Sequence, residues 1–389
     1  MSKVLFLGGG ASQIGVLKTA KRLGHTVVVC DFSPEALGVS FADEFYRVST
    51  TNTEAGVQVA RDTGCDAVVA YATDPAALSA AEIAKQLGLP GNKPEAVGVL
   101  THKNKYRRFL WENGFNTPAF YAPDDKKEHR FPVVVKPTDM SGSKGVTIVR
   151  AEEDMPEAIS LAKKFARSGE VLVESFVRRA GYQVAGDGFV VNGRLVFRCF
   201  ANEHFDSSEA IVPIGESFPS VLSEGTQQSI HNEVQRAIDA IGLENGAINL
   251  DVLLDKEGRI YLMEIGPRAG GCLIPEVIKY ATGVDEAAYV IKAALGEDCS
   301  DLRMAPVKGF WASYMIHSTT HGSFDRLYVA SALKNNVVDF NMFVEKGATV
   351  SPYTHSGCAI GTAILQFDSK EEMLYKMDNM QYLLQTVLK

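Results

Sequence analysis

Two apolar runs, residues 247–254 and 259–265, flank the turn segment Asp255-Lys256-Glu257-Gly258 and read as a hairpin. The hairpin carries Asn249, Asp251 and Glu264, residue types that hold hard cations. With Lys256 and Glu257 at the turn, Asp255 faces Gly258, which sets Glu264 opposite Asn249 and Leu262 opposite Asp251. All three polar residues then share one face, with the two carboxylates as diagonal neighbours about 7–8 Å apart at the backbone. Carboxylates at that spacing converge on one or two cations, and an amide completes the set. A polar hairpin face is usually plain solvated surface. The sequel Gly266-Pro267-Arg268-Ala269-Gly270-Gly271 turns the reading toward phosphate, because Arg268 can clamp a phosphoryl or carboxylate oxygen.

A second segment, Val133-Val134-Val135-Lys136-Pro137, is an apolar strand ending in a lysine, which must find a counter-charge if it is buried. It is followed by Gly142-Ser143-Lys144-Gly145, whose glycines let backbone N–H groups approach phosphate oxygens. The Walker spacing is absent. A third segment, Val171-Leu172-Val173-Glu174-Ser175-Phe176-Val177, ends a strand in an acid and an aromatic, a pattern able to hydrogen-bond and pack an adenine.

These segments need a frame. Residues 4–7, 27–30 and 66–71 read as buried strands separated by helical stretches at 13–23 and 75–87, a parallel α/β layer. After Thr117-Pro118 the pattern changes to short strands joined by turns, at 132–136, 146–150, 171–174, 188–191 and 194–200, with helices at 156–166 and 224–241. Past residue 300, strands at 309–316 and 359–367 and a final helix from Lys370 onward make a last unit. The expected division is an α/β N-terminal parallel-sheet domain over 1–95, an α+β domain over 96–300 with a lid subdomain near 118–178, and a small α+β C-terminal unit over 301–389.

At 389 residues two or three packed domains are expected, and 46% hydrophobic with 22% charged residues is ordinary for a folded enzyme. A net charge of -8 argues against nucleic acid as a partner. The six cysteines (Cys30, Cys65, Cys199, Cys272, Cys299, Cys358) are scattered, without metal spacing or a disulfide framework. No apolar stretch suits a membrane span or a cleaved leader, so a cytoplasmic location is expected.

In this ordered combination the chain resembles the ATP-grasp ligases, the group that includes carbamoyl phosphate synthetase, biotin carboxylase, glycinamide synthetase and various carboxylate-amine ligases. The resemblance covers essentially the whole chain. It implies an ATP-grasp fold for the middle domain, with ATP and Mg2+, or Mn2+ in its place, as cofactors. It implies that Lys103 and Lys136 contact ATP phosphates, and that Gly142, Ser143, Lys144 and Gly145 form the lid loop. Glu174, Phe176 and Val177 would line the adenine pocket, Asp251 and Glu264 would bind magnesium, and Arg268 would bind the transferring phosphate. The implied reaction joins a small-molecule carboxylate to an amine through an acyl phosphate, releasing ADP and phosphate. Many relatives are dimers, so a homodimer is among the expected states.

Three positions depart from the family pattern. Gly181-Tyr182 stands where an acid usually contacts the ribose, leaving Asp187 as a candidate to compensate. Gly266 replaces a usual asparagine, which makes Asn249 the candidate metal ligand in its stead, and Asp251 replaces a glutamate. Two rival readings follow from the residues. Gly8-Gly9-Gly10 after a strand, with Asp31 ending the next, suggests an NAD-dependent oxidoreductase, although Gln13 replaces the third glycine. Gly181 and Gly266 suggest an ATP-binding regulatory protein that has lost catalysis. His317 and His321 read as strand into loop and so as structural or substrate-side residues, and Arg178 and Arg179 as solvated surface.

Overall fold

A computed structural model describes residues 1–123, 130–207 and 210–389. Residues 124–129, within the expected lid subdomain, lie outside the described residues.

The N-terminal layer is a four-stranded parallel sheet in the order Glu44–Tyr46, Thr26–Cys30, Lys3–Leu7, Ala67–Ala70. Val4, Leu5, Phe6 and Leu7 are all buried, as a central parallel strand covered on both faces requires. The first strand of that order was not legible, since none of its three residues is buried.

A second four-stranded sheet, in the order Phe120–Tyr121, Val171–Ser175, Val133–Pro137, Thr147–Val149, lies in the segment expected as a lid subdomain. The helix Met155–Phe165 packs on it through Met155, Ala158 and Ala162.

The largest sheet has eight strands, ordered Ile260–Gly266, Gly246–Leu254, Gln183–Val191, Arg194–Phe205, Pro213–Phe218, Phe310–Ile316, Gly361–Phe367, Val337–Met342. It runs through the boundary expected at residue 300, so the C-terminal unit shares its main sheet with the preceding domain. Behind this sheet the helix Glu224–Ile241, capped by Ser223 and ended by Gly242 in the left-handed conformation, buries Ile230, Val234, Ala237 and Ile238. That spacing places one apolar stripe against Ile248, Leu250 and Val252 of the sheet. The expected final helix is seen as two, Lys370–Asp378 and Met380–Leu383, and is corrected from Leu384 onward, where a strand, Leu384–Leu388, takes its place. The strand joins the edge of a three-stranded sheet by pairing with Gly322–Val329.

Candidate active site

The hairpin forms, but its register differs from the expected one by two steps. Asp255 pairs with Arg259 across a three-residue loop in which Gly258 takes φ +75°. Met263 is then an extra residue in its strand, because Val252 faces Leu262 while Asp251 faces Glu264. The buried Arg107 guanidinium donates to the Met263 carbonyl at 2.8 Å, which satisfies the group left unpaired by the bulge. Asp251 and Glu264 are therefore direct cross-strand partners on one face rather than diagonal neighbours. Burial, with Glu264 beside it, pushes the Asp251 carboxyl up to about 6.

Asn249 shares that face and stands opposite Gly266. A side chain at Gly266 would meet Asp74 Oδ1 at 2.9 Å and the Arg268 guanidinium carbon at 3.2 Å, so this position is kept bare by an ion pair. That pair is bidentate: Arg268 donates to both oxygens of Asp74, at 2.8 and 2.7 Å. Asp74, at the start of the helix Asp74–Leu87, is a site residue the sequence reading missed. Its only signal was the helix-start sequence Thr73-Asp74-Pro75. Arg268 also lies 4.0 Å from Glu264, and Lys103 Nζ lies 3.6 Å from the same carboxylate. Among the described residues no three His, Cys, Asp or Glu form a ready-made metal cage. Magnesium asks for less, because one or two carboxylates suffice when phosphates and water complete its shell.

Lys136 finds its counter-charge inside the lid sheet. Val134 pairs with Glu174 and Lys136 with Leu172, so Lys136 and Glu174 are diagonal on one face and form a buried ion pair. The other Glu174 oxygen accepts from Arg107 at 2.8 Å. Burial alone would raise the Glu174 carboxyl, but the two cations override it and hold it at about 2. The carboxylate is thus engaged on both sides by cations while still lining the cleft. Phe176 and Val177 do line the cleft, beside Val134, Ile148, Leu253 and Met263.

Asp187 is also corrected. It has no exposed surface, and it accepts from Gly270 N at 2.7 Å and Asn249 Nδ2 at 2.9 Å. The segment after Arg268 crosses directly over it, so Asp187 anchors that crossing and offers nothing to a ribose.

Gly142, Ser143 and Gly145 all take positive φ, and the loop docks on two other segments. Ser143 Oγ donates to Ile211 O at 2.9 Å, and Ser356 N donates to Gly142 O at 3.1 Å. Lys103, Lys136, Lys144, Asn249, Asp251, Glu264 and Arg268 all face one cavity of about 1260 Å³ between the three layers.

The dinucleotide reading fails on geometry. Asp31 Oδ2 accepts from Gly9 N and Oδ1 from Ser33 N, both at 2.8 Å, while the buried Gln13 side chain fills the space over Gly8 and Gly10. His317 is held between Met315 O and Asp206, as a structural residue. Ser217, His204 and Asp378 line up like a nucleophilic relay, at 2.8 and 2.9 Å. Ser217 has no exposed surface, so the relay ties the C-terminal unit to the sheet. All six cysteines are free, and no described helix is long and apolar enough to cross a membrane.

Comparison with known proteins follows the same lines. Residues 17–91 match the ATP-grasp N-terminal domain and residues 129–276 the ATP-grasp domain. The carbamoyl phosphate synthase large chain of Corynebacterium glutamicum is 26% identical over 371 residues, 88% of this chain and 32% of that one. The chain spans between about a third and just over half the length of the curated relatives it matches. Among solved structures, an L-amino acid ligase from Bacillus licheniformis superposes with a TM-score of 0.83 at 24% identity, covering 100% of this chain and 99% of that one. The biotin carboxylase domain of a Hydrogenobacter thermophilus 2-oxoglutarate carboxylase, solved with MgADP and bicarbonate, gives 0.78 at 20% identity, over 100% and 91%.

Proposed function

Because the chain belongs to the ATP-grasp superfamily, we propose that its central cleft binds MgATP and joins a small-molecule carboxylate to an amine through an acyl phosphate. The observation that carries the reading is the cross-strand pair Asp251 and Glu264, with Arg268 and Lys103 both within 4.0 Å of Glu264. Two carboxylates and two fixed cations around one point suit magnesium and a polyphosphate together.

A carboxylate resists nucleophiles because its own charge repels them and oxide does not leave. Phosphorylation removes both obstacles. The protein's task is to align the carboxylate oxygen with the terminal phosphate and to offset the charge spread over its oxygens. In this reading Asp251 and Glu264, with Asn249 beside them, would hold a magnesium ion, which would supply positive charge against the phosphates. Lys136 and Lys103 meet the phosphates from the lid side, and Arg268, held rigid by Asp74, meets the transferring phosphoryl group. The adenine packs among Phe176, Val177 and the apolar residues around them. The loop of Gly142, Ser143, Lys144 and Gly145 covers the phosphates and keeps water from the acyl phosphate.

The test is ADP release over a matrix of carboxylates and amines with Mg2+ or Mn2+. The reading expects release that needs one carboxylate and one amine together. ATP binding without ADP release from any pair would favour the rival, an ATP-binding protein without catalysis.

A further inference from the structure

We infer that Glu203 and Glu216, on the sheet face beside the metal pair, form the subsite that seats the protonated amino group of the amine substrate. This rests on the ligase reading above and adds to it the charge class of the second substrate.

Strand register places the residues. Glu203 faces Glu216, Gln183 faces Glu203, and Asp251 faces Ala185, two positions from Gln183. Alternation therefore puts Glu264, Asp251, Gln183, Glu203 and Glu216 in one row on one face. The row continues to Ser313, whose hydroxyl donates to Glu216 Oε2 at 2.7 Å. Two strand spacings, about 10 Å, separate the strand of Asp251 from that of Glu203, room for an acyl phosphate between the metal and the amine. The Gln183 amide nitrogen donates to Asp251 Oδ1 at 2.8 Å, which leaves its oxygen as an acceptor.

The two glutamates line the cleft yet are only 5% and 2% exposed. Glu203 Oε2 has no hydrogen-bond partner among the described residues. Buried acids facing each other across a strand pair are unfavourable when empty. Burial and the neighbouring carboxylates push both upward, Glu216 to about 8 and Glu203 well above its ordinary value. Of the nearby cations, Arg179 stacks over the Phe205 ring at 4.3 Å and offsets only part of the upward push on Glu203, making no hydrogen bond to it, and Arg268 is paired with Asp74. A primary ammonium brings three N–H donors, which match the free Glu203 oxygen, a Glu216 oxygen and the Gln183 carbonyl.

The experiment compares two nucleophiles on the parent protein and on Glu203→Gln and Glu216→Gln, with MgATP and a carboxylate identified from the matrix. Hydroxylamine is uncharged at neutral pH and traps an acyl phosphate as a hydroxamate. Primary amines, amino acids included, arrive as ammonium ions, give up one proton to the glutamate pair, and attack the acyl carbon as neutral amines, forming the amide as phosphate leaves. Each variant is expected to lower kcat/KM for the amine by about a hundredfold, the loss of a charge-assisted contact. The ratio of amide to hydroxamate should fall with it. An unchanged ratio in both variants overturns the inference. So does loss of a bound Mn2+ ion in either variant, read by electron paramagnetic resonance, because the pair would then belong to a metal. Hydroxamate absent from the parent with every carboxylate removes the ligase reading itself, which a changed ratio does not. Thermal melts no lower than the parent's confirm that the variants fold, as expected when a crowded buried charge is removed.

Discussion

Asp251 and Glu264 face each other directly across the hairpin because Met263 is an extra residue in one strand, and the Met263 carbonyl is held by Arg107 from a helix 156 positions earlier in the chain. Without that bulge Glu264 would stand opposite Leu250 and point to the other face of the sheet from Asp251. The buried arginine thus sets the geometry of the candidate metal pair from outside the cleft.

Removing either acid tests the metal assignment. Asp251→Asn and Glu264→Gln are each expected to lower ADP formation by about a hundredfold or more, the scale of losing one charged ligand at a phosphoryl-transfer centre. Mn2+ binding, followed by electron paramagnetic resonance, should weaken in both. In the parent, Asp251 must be ionised to bind metal, and its carboxyl is raised to about 6. Proton and metal compete, so Mn2+ affinity should decline as pH falls through 6 and level off above it. A pH-independent affinity between 5 and 7.5 would count against Asp251 as a ligand.

The Glu174 carboxylate sits 1% exposed between Arg107 and Lys136, and its loss would leave two cations buried without a partner. Glu174→Gln is expected to cost about 3–5 kcal/mol in urea denaturation. Lys136→Met in the same chain should recover part of that loss, whereas independent sites would add. The folded carboxyl lies near 2, below its unfolded value, so this stabilisation is complete above the ordinary glutamate range. It is lost as pH falls toward about 2. The difference in stability between parent and Glu174→Gln should therefore shrink in acid.

How much of this was legible depended on whether a residue's neighbours lie close in sequence. Asp251, Glu264 and Lys136 were readable because strand alternation and a local turn place them. The Glu174 contact was not, because the chemistry of Glu174 is decided by Arg107, 67 positions away. Asp187 was a candidate because Gly181 stands where the family has an acid, but the crossing of Gly270 over it is a tertiary event. Pro213–Phe218 and the far end of Arg194–Phe205 were missed because Asn202, Glu203, His204 and Glu216 break the apolar pattern that marks a buried strand. Those polar residues are buried together where the cleft and the C-terminal unit meet.

Arg268 owes its direction to Asp74, which belongs to the N-terminal layer. Asp74→Asn keeps the shape but removes the charge, so Arg268 should turn toward Glu264, 4.0 Å away. The expected result is a fall in kcat of about tenfold to a hundredfold with a smaller change in KM for ATP, since Arg268 acts on the transferring phosphoryl group. Equal losses in both parameters would mark Asp74 as a fold residue alone, and a urea midpoint measured in parallel distinguishes the two.

The lid loop gives the last test. Gly142 takes φ +66°, and a Cβ there would lie 2.1 Å from Ser356 Oγ, so alanine is opposed both by its backbone and by the surface the loop docks on. The backbone alone costs about 1–2 kcal/mol. Gly142→Ala should therefore hold the loop off Ser356 and admit water to the phosphates. Phosphate release uncoupled from amide formation should rise relative to product. Ser356→Gly removes the obstructing hydroxyl while keeping the Ser356 N donor to Gly142 O, so adding it to Gly142→Ala should recover part of the coupling. Coupling that stays at the parent's level in Gly142→Ala would mean that the loop does not close over the phosphates at this contact.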